Sequence, residues 1–209
     1  MPFTEFEKLG PLQGLVGTWE GEGGVDFSFH HEEGETGTTD YRERITFSPF
    51  GPVDNGSQTL YGLDYRMAAY KQGEDEPFHT EVGYWLWDAA NGEFMRSFMV
   101  PRGQTVIAGG SAKADSKVIE LRAERGSTSY GVLSNKHLED NALTPSYACT
   151  LNQIRQQRKH RWRIAFGGRG LANGQTNFTL RVGHPSQAVD QHQNIQALIA
   201  KIFCNHVSH

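Results

Sequence analysis

Hydrophobic and polar residues alternate with a period of two through much of the chain, as in antiparallel strands that bury one face. In the clearest run, the face predicted to be buried carries Tyr61, Leu63, Tyr65 and Met67. An earlier run predicts a buried apolar face of Val25, Phe27 and Phe29, with Asp26 on the opposite, exposed face. In a third run the apolar face carries Phe94, Phe98 and Val100, with Arg96 among them.

Turn-forming sequences separate these runs. Asn-Gly pairs at 91–92 and 173–174 are strong hairpin signals, and residues 54–56 and 71–75 also favour turns. Roughly ten to twelve short strands fit between such turns, at spacings typical of a closed barrel or a sandwich. We find no linker and no fixed-period repeat, so residues 1–209 are predicted to form one all-β domain.

Two stretches fit a helix better than a strand. Residues 3–15 predict a short N-terminal helix that leads into the first strand. Residues 185–203 carry apolar side chains at helical spacing, although a strand fits this segment as well.

Composition and charge exclude several classes of function. The net charge is −4 and the pI is about 6.1, which supplies no field for nucleic acid or an anionic membrane. Cys149 and Cys204 cannot form a disulfide framework or a thiolate zinc site, and Cys149 is predicted to pack as a small apolar side chain. No secretory signal and no apolar run of about 18 residues occurs. We therefore expect a cytoplasmic protein that binds neither nucleic acid nor membrane.

The common catalytic motifs are missing, but one histidine has a distinctive setting. The sequence contains no G-x-S-x-G, H-E-x-x-H or Walker A motif. On a strand, His79 shares a face with Glu81, Gly83 and two tryptophans, Trp85 and Trp87. This pattern fits either a histidine that lines a cavity or a structural histidine.

Three blocks of sequence resemble the nitrobindin family of haem-binding barrels. The block Gly17-Thr18-Trp19-Glu20-Gly21-Glu22-Gly23 is similar to the G-x-W-x-G-x-G signature of that family. Residues 77–84, Pro-Phe-His-Thr-Glu-Val-Gly-Tyr, resemble its P-L-H-x-E-x-G-Y block. Residues 100–110 resemble the x-P-x-G strand and hairpin that come next. Within this signature we expect Trp19 to be structural and to close one end of the barrel beside the N-terminal segment.

The resemblance implies a roughly ten-stranded antiparallel closed β-barrel of the calycin or fatty-acid-binding-protein-like (FABP-like) type that holds haem b. It assigns the axial iron ligand to His192, in the segment Gln191–Leu198, with His184 and His79 as rivals. His79 otherwise takes the role of a cavity residue. Val182 stands where family members carry a methionine near the cofactor. The candidates for lining the haem slot are Trp85, Trp87, Met95, Phe98, Met99 and Ile107.

The implied chemistry is binding of nitric oxide or isomerisation of peroxynitrite to nitrate at ferric haem, which would make the protein a peroxynitrite isomerase. The main alternative is a non-enzymatic barrel that binds a fatty acid or another apolar small molecule. A third interpretation is a filled barrel that acts through its surface. The expected partner is a small-molecule ligand, and the protein is expected to be a monomer or a homodimer.

Overall fold

A computed structural model describes residues 2–30, 35–141, 144–156, 159–166, 176–177 and 180–181. The predicted turn at 172–174 and the segment 185–203 lie outside these residues. The helices are a 3₁₀ helix, Phe6–Leu15, and α1, Lys136–Asn141. The strands are β1 Gly17–His30, β2 Glu35–Asp54, β3 Thr59–Lys71, β4 Pro77–Asp88, β5 Glu93–Val100, β6 Gln104–Ser111, β7 Val118–Arg125, β8 Gly131–Ser134, β9 Ser146–Gln156, β10 Lys159–Phe166, β11 Thr176–Asn177 and β12 Leu180–Arg181.

All twelve described strands belong to one curled sheet, which confirms the all-β prediction. From β1 to β6, each strand pairs antiparallel with the next one along the chain. Turns follow at residues 55–58, 72–76 and 89–92, as the Asn-Gly and glycine signals predicted. Within the described residues, no hydrogen-bonded ladder joins β1 to the last strands, although Cα atoms of β12 come within 8 Å of β1. The sheet is therefore an open, curled half-barrel, and closure remains a prediction.

One pairing departs from the antiparallel arrangement predicted for the whole sheet. Strand β8 lies between β6 and β7, antiparallel to β6 but parallel to β7. The chain can return this way because Gly126 and Tyr130 both adopt positive φ, at 78° and 55°. The Tyr130 carbonyl then accepts a hydrogen bond from the Glu124 amide, which fixes the tight loop.

The core lies on the concave face of the sheet, where the predicted alternation holds. Leu63, Tyr65 and Met67 are buried, and Tyr61 is partly buried against the core. Cys149 is also buried, between Tyr147 and Leu151 on the same strand, as predicted for a small apolar side chain. This burial, repeated along β2–β9, supplies the main driving force for folding.

The alternation prediction is wrong for Asp26 in strand β1. Asp26 is buried, with 1% exposure, and Val25 is only partly buried. A register shift between Gly21 and Gly24 reverses which residues of β1 face inward, because an extra residue in a period-two strand exchanges its faces. Trp19 and Gly21 face inward before the shift, and Gly24 and Asp26 face inward after it.

The N-terminal 3₁₀ helix covers one end of the half-barrel. It buries Leu9, Leu12 and Leu15, and the Trp19 indole donates a 2.6 Å hydrogen bond to the Leu15 carbonyl. Trp19 is itself buried, so its predicted structural role beside the N-terminal segment is confirmed. The predicted short helix is confirmed in place, although it is a 3₁₀ helix with a kink at Gly10.

Helices of the described residues are all too short or too polar to cross a lipid bilayer.

Candidate functional site

Polar side chains interrupt the apolar interior on strands β2 to β5. Glu43 pairs with Ala69, and Ala69 pairs with His79, so these three residues form one row across the sheet. The next row runs from Ile45 through Met67 to Glu81. Further along, Arg96 on β5 lies opposite Trp85 on β4. The interior face therefore carries two carboxyl groups, an imidazole and a guanidinium within a few strands.

The Arg96 guanidinium is the centre of this polar cluster. Its Nη2 donates to Glu81 Oε2 in a buried ion pair and to the Tyr65 hydroxyl at 2.9 Å. Its Nε donates to the same hydroxyl at 3.2 Å, and Nη1 donates to the Tyr147 hydroxyl on β9. The Tyr65 hydroxyl donates its own hydrogen bond to Glu81 Oε2 at 2.9 Å. Each of these groups thus has a partner, as buried polar groups require.

Aromatic rings surround the same guanidinium. Its Cζ atom lies 4.3 Å from the centroid of the Phe98 ring and 5.0 Å from that of Trp85. Tyr65 and Tyr147 lie 5.1 and 5.7 Å away. Ring faces attract a cation, and Arg suits such a site because its planar charge is weakly hydrated. The arginine therefore stays charged inside the apolar core.

Pairing and burial determine the ionisation of this cluster. Burial opposes the charge on Glu81, but the Arg96 guanidinium and the hydrogen bonds from His79 and Tyr65 outweigh it and lower the pKa of Glu81 to about 2. Burial raises the pKa of Tyr65 and Tyr147 well above the usual value, so both phenols stay protonated. At neutral pH the cluster is an ion pair held by neutral hydroxyl groups.

Glu81 also determines how the His79 ring is held. The His79 Nε2 atom lies 3.2 Å from Glu81 Oε1. Because an ionised carboxylate can only accept, Nε2 must carry the proton of this hydrogen bond. The Nδ1 atom has no hydrogen-bond partner among the described residues. The His79 side chain is 15% exposed, so the ring is not fully enclosed by the core.

Glu43 is a buried carboxyl group without a partner. Its side chain is 4% exposed, and neither oxygen forms a hydrogen bond within the described part of the chain. Burial, followed by repulsion from Glu81, raises the pKa of Glu43 well above the usual value. Its neighbours across the strands are Gly21 and Ala69, which have little or no side chain. A buried carboxyl group with a raised pKa therefore stands between two small residues in the interior.

The structure brings some of the predicted site residues together and separates others. His79 and Trp85 lie on the interior face. Met99 and Ile107, which were predicted to line the slot, are 54% and 48% exposed on the outer face. The reason is the period of two, because Met99 alternates with the inward-facing Phe98 and Val100. His192, His184 and Val182 lie outside the described residues, so their assigned roles remain untested.

Sequence reasoning overlooked most of the polar cluster, although signals for it were present. Arg96 was noticed on an apolar face, which is the usual sign of a buried, paired charge. Glu43 follows the same pattern in the run Tyr41, Glu43, Ile45, Phe47. The contribution of Tyr147 could not be read from the sequence, because it depends on the curl that brings β9 to β5.

The described interior contains buried polar atoms that suit a ligand such as haem as hydrogen-bond partners. Trp85, Phe94 and Phe98 are packed into the core, with ring contacts to one another and to Arg96. The unpartnered oxygens of Glu43 and the Trp85 indole nitrogen are buried polar atoms left for a ligand or water. No group of three or more potential metal-binding side chains occurs among the described residues.

Comparison with known proteins gives relatives over part of the chain. Two proteins named peroxynitrite isomerase, from Clavibacter sepedonicus and Clavibacter michiganensis subsp. michiganensis, are 38% and 35% identical to it over 80 residues. Each match covers 37% of this chain and 35% of the relative, so it spans about a third of the curated protein.

A solved structure resembles the fold. The crystal structure of Rv2717c from M. tuberculosis aligns with a TM-score of 0.50 at 17% identity, covering 83% of this chain and 97% of that one. At the family level, the model of the THAP4-like, heme-binding beta-barrel domain matches residues 8–157. The match includes β1 to β9 and with them the whole polar cluster. The chain therefore belongs to the THAP4-like family of haem-binding β-barrel domains, which confirms the resemblance to nitrobindins.

Proposed function

We propose that this protein binds haem b and uses it in nitrogen-oxide chemistry, either binding nitric oxide or isomerising peroxynitrite to nitrate. The family match over residues 8–157 carries the proposal. The two relatives named peroxynitrite isomerase favour the enzymatic version. When bound, haem supplies an iron centre that coordinates small nitrogen oxides, and the chain supplies the surroundings that orient and protect it.

The residues of the chain take distinct roles in this proposal. His192 would hold the haem iron through its imidazole, and Val182 would contribute to the apolar surroundings of the cofactor. Trp85 contributes to the apolar wall, which excludes water from the site. His79, held at Nε2 by Glu81, presents Nδ1 as a hydrogen-bond acceptor toward the ligand space. Glu43, whose pKa is raised by burial, contributes a carboxyl group to the same interior.

The alternative of a fatty-acid-binding barrel is less consistent with the interior. A fatty acid buried in a barrel needs a cation or several donors for its carboxylate. The described interior contains one buried cation, Arg96, and Glu81 already neutralises it. A second carboxylate would enter beside Glu81 without a counter-charge.

Hemin titration of the full-length protein tests the proposal. Stoichiometric binding with a Soret band in the visible spectrum is expected for the wild type. His192→Ala should abolish or strongly weaken binding, His184→Ala should leave it unchanged, and His79→Ala should change the spectrum or affinity moderately. His137→Ala, on the exposed surface of α1, is the matched control. Unchanged hemin affinity and Soret position in His192→Ala would contradict the axial assignment.

Other expectations from the sequence remain part of the proposal. These are a single domain over residues 1–209, closure of the half-barrel, a cytoplasmic location, a monomer or homodimer, and no binding of nucleic acid. Size-exclusion chromatography with light scattering measures the oligomeric state directly, and limited proteolysis tests whether the chain forms one domain.

A further inference from the structure

We propose that Arg96, Tyr65 and His79 form a carboxylate-binding site inside the barrel, and that Glu81 occupies it as a built-in ligand that excludes fatty acids. We call these three donors the carboxylate site. The proposal rests on the proposed function only in taking the barrel to bind a small molecule. It adds that this barrel rejects one chemical class of ligand, the carboxylates.

Three donors from three strands converge on one carboxylate group. Arg96 Nη2 and the Tyr65 hydroxyl donate to Oε2 of Glu81, and His79 Nε2 donates to Oε1. A guanidinium with additional hydroxyl and imidazole donors is the chemistry by which proteins recognise carboxylates. Glu81 thus receives the contacts that a bound carboxylate ligand would receive.

Arg96 and Tyr65 are held independently of Glu81. Tyr147 on β9 accepts from Arg96 Nη1, the Phe98 and Trp85 rings pack on the guanidinium, and the Tyr65 hydroxyl accepts from Arg96. Removal of the Glu81 side chain would therefore leave a positioned cation with a hydroxyl donor beside it. Preorganised donors of this kind bind a replacement anion with little further ordering.

Gly83 allows β5 to lie close to β4 beside Glu81. Arg96 lies opposite Trp85, and Gly83 lies between Trp85 and Glu81 on the same face of β4. Because Gly83 has no side chain, the β5 backbone at Ser97 and Phe98 can approach it closely. A Cβ atom at Gly83 would lie 2.7 Å from the Cα atom of Phe98, so this position cannot accept a larger residue without moving β5.

The covalent attachment of Glu81 gives it an advantage over any free carboxylate. A group fixed in the site by the backbone has a high effective concentration, so a diffusing fatty acid cannot displace it at cellular concentrations. The charges of Glu81 and Arg96 also neutralise each other, and opening this ion pair would leave a buried charge without a partner. The carboxylate site is therefore closed to carboxylate ligands, whereas neutral ligands do not need it.

Chemical rescue tests the carboxylate site. Glu81→Ala removes a CH₂–COO⁻ fragment, for which acetate is the matching free ligand. We expect sodium acetate to raise the melting temperature of the full-length Glu81→Ala protein in a saturable manner. Acetamide, which has the same shape without the charge, and equal ionic strength from sodium chloride should have no such effect. Wild type and the double variant Glu81→Ala/Arg96→Met should not respond specifically to acetate.

A comparison of a fatty acid with its neutral ester tests whether Glu81 excludes carboxylate ligands. Oleate and its neutral methyl ester are titrated separately, each followed by displacement of a fluorescent apolar probe. We expect Glu81→Ala to bind oleate at least about tenfold more tightly than wild type, as one regained charged hydrogen bond supplies. The affinity for methyl oleate should not differ between the two proteins.

The outcomes separate the two proposals. Absence of acetate rescue in folded Glu81→Ala, or equal oleate affinity in wild type and variant, would overturn the carboxylate site. If Glu81→Ala does not fold even in acetate, Glu81→Ser, which also vacates the site, must show the gain in oleate binding instead, and no gain overturns the proposal. Failure of the wild type to bind hemin would contradict the proposed function alone.

Discussion

Glu43 and Glu81 lie on adjacent rows of the same interior face, yet their pKa values shift in opposite directions. Glu81 faces a guanidinium, whereas Glu43 has no partner among the described residues. The two carboxyl groups must therefore contribute to stability in different ranges of pH.

The buried Glu43 carboxyl group should make the folded protein less stable as the pH rises, and Glu43→Gln should remove this loss. A carboxyl group whose pKa is raised in the folded protein makes its full contribution to folding stability below its unfolded pKa of about 4.5. This contribution to stability falls as the pH rises toward the pKa of the folded state. The slope for one such group is at most about 1.4 kcal/mol per pH unit. Urea unfolding between pH 4.5 and 8 should show a shallower decline for Glu43→Gln than for the wild type.

The exposed Glu120 provides the control, because Glu120→Gln on the outer face of β7 should leave the slope unchanged. Glu81 acts in the opposite direction, since its folded pKa of about 2 adds stability above pH 4.5 that is lost as the pH falls toward 2. A Glu43→Gln profile parallel to that of the wild type would show that Glu43 is ionised and paired.

Trp19→Ala should destabilise the protein by about 3–5 kcal/mol, as truncation of a large buried aromatic side chain does. The indole is buried and donates to the Leu15 carbonyl, so it joins the 3₁₀ helix to β1. Trp19→Phe keeps most of the apolar area but loses the hydrogen bond, and should cost less. Chemical denaturation measures both values, and a loss under about 1 kcal/mol in Trp19→Ala would contradict burial of the indole.

Gly10→Ala should destabilise the protein more than Gly73→Ala. Both glycines have positive φ, 52° and 79°, so both substitutions carry the backbone cost of an L-residue in that region. A Cβ atom at Gly10 would also lie 2.5 Å from Nε1 of Trp87, whereas Gly73 faces open space. At Gly10 the ψ angle of −126° also lies outside the left-handed helical region, which adds to the backbone cost there. The difference in unfolding free energy between the two variants therefore measures the clash and this strain together, and equal values would contradict the packing of the 3₁₀ helix on Trp87.

Cys149 should be unreactive in the folded protein. Burial raises the pKa of its thiol to about 11, so only about one molecule in a thousand carries the reactive thiolate at pH 8. In a Cys204→Ser background, Ellman's reagent should modify Cys149 only after denaturation. Full modification of the native protein within minutes would show that β9 opens readily.

The fold was largely predictable from the sequence because period-two alternation and turn chemistry are local. Leu63, Tyr65 and Met67 could be placed in the core from their own spacing. Asp26 could not, because the register shift at Gly21–Gly24 reverses the strand face without a clear signal in composition. One extra residue in a strand has consequences for every residue after it.

The candidate site was predictable only in part. The pattern placed His79 and Glu81 together on one strand face, and the structure confirms this placement. The ion pair between Glu81 and Arg96 depends on the register of β4 with β5, and the contact with Tyr147 joins residues 51 positions apart. Such contacts follow from tertiary structure, which local patterns do not encode.

The position of β8 has a consequence for the order in which the sheet forms. Strands β1 to β6 each pair with the next strand in the chain, so they can add one hairpin at a time and close only short loops. Strand β8 instead fits between β6 and β7, two strands that also pair directly at Gly109 and Arg122. Four residues long, it completes its hydrogen bonds only when both neighbours are in place. We therefore expect β8 to be a late element in folding and the first to exchange its amide protons.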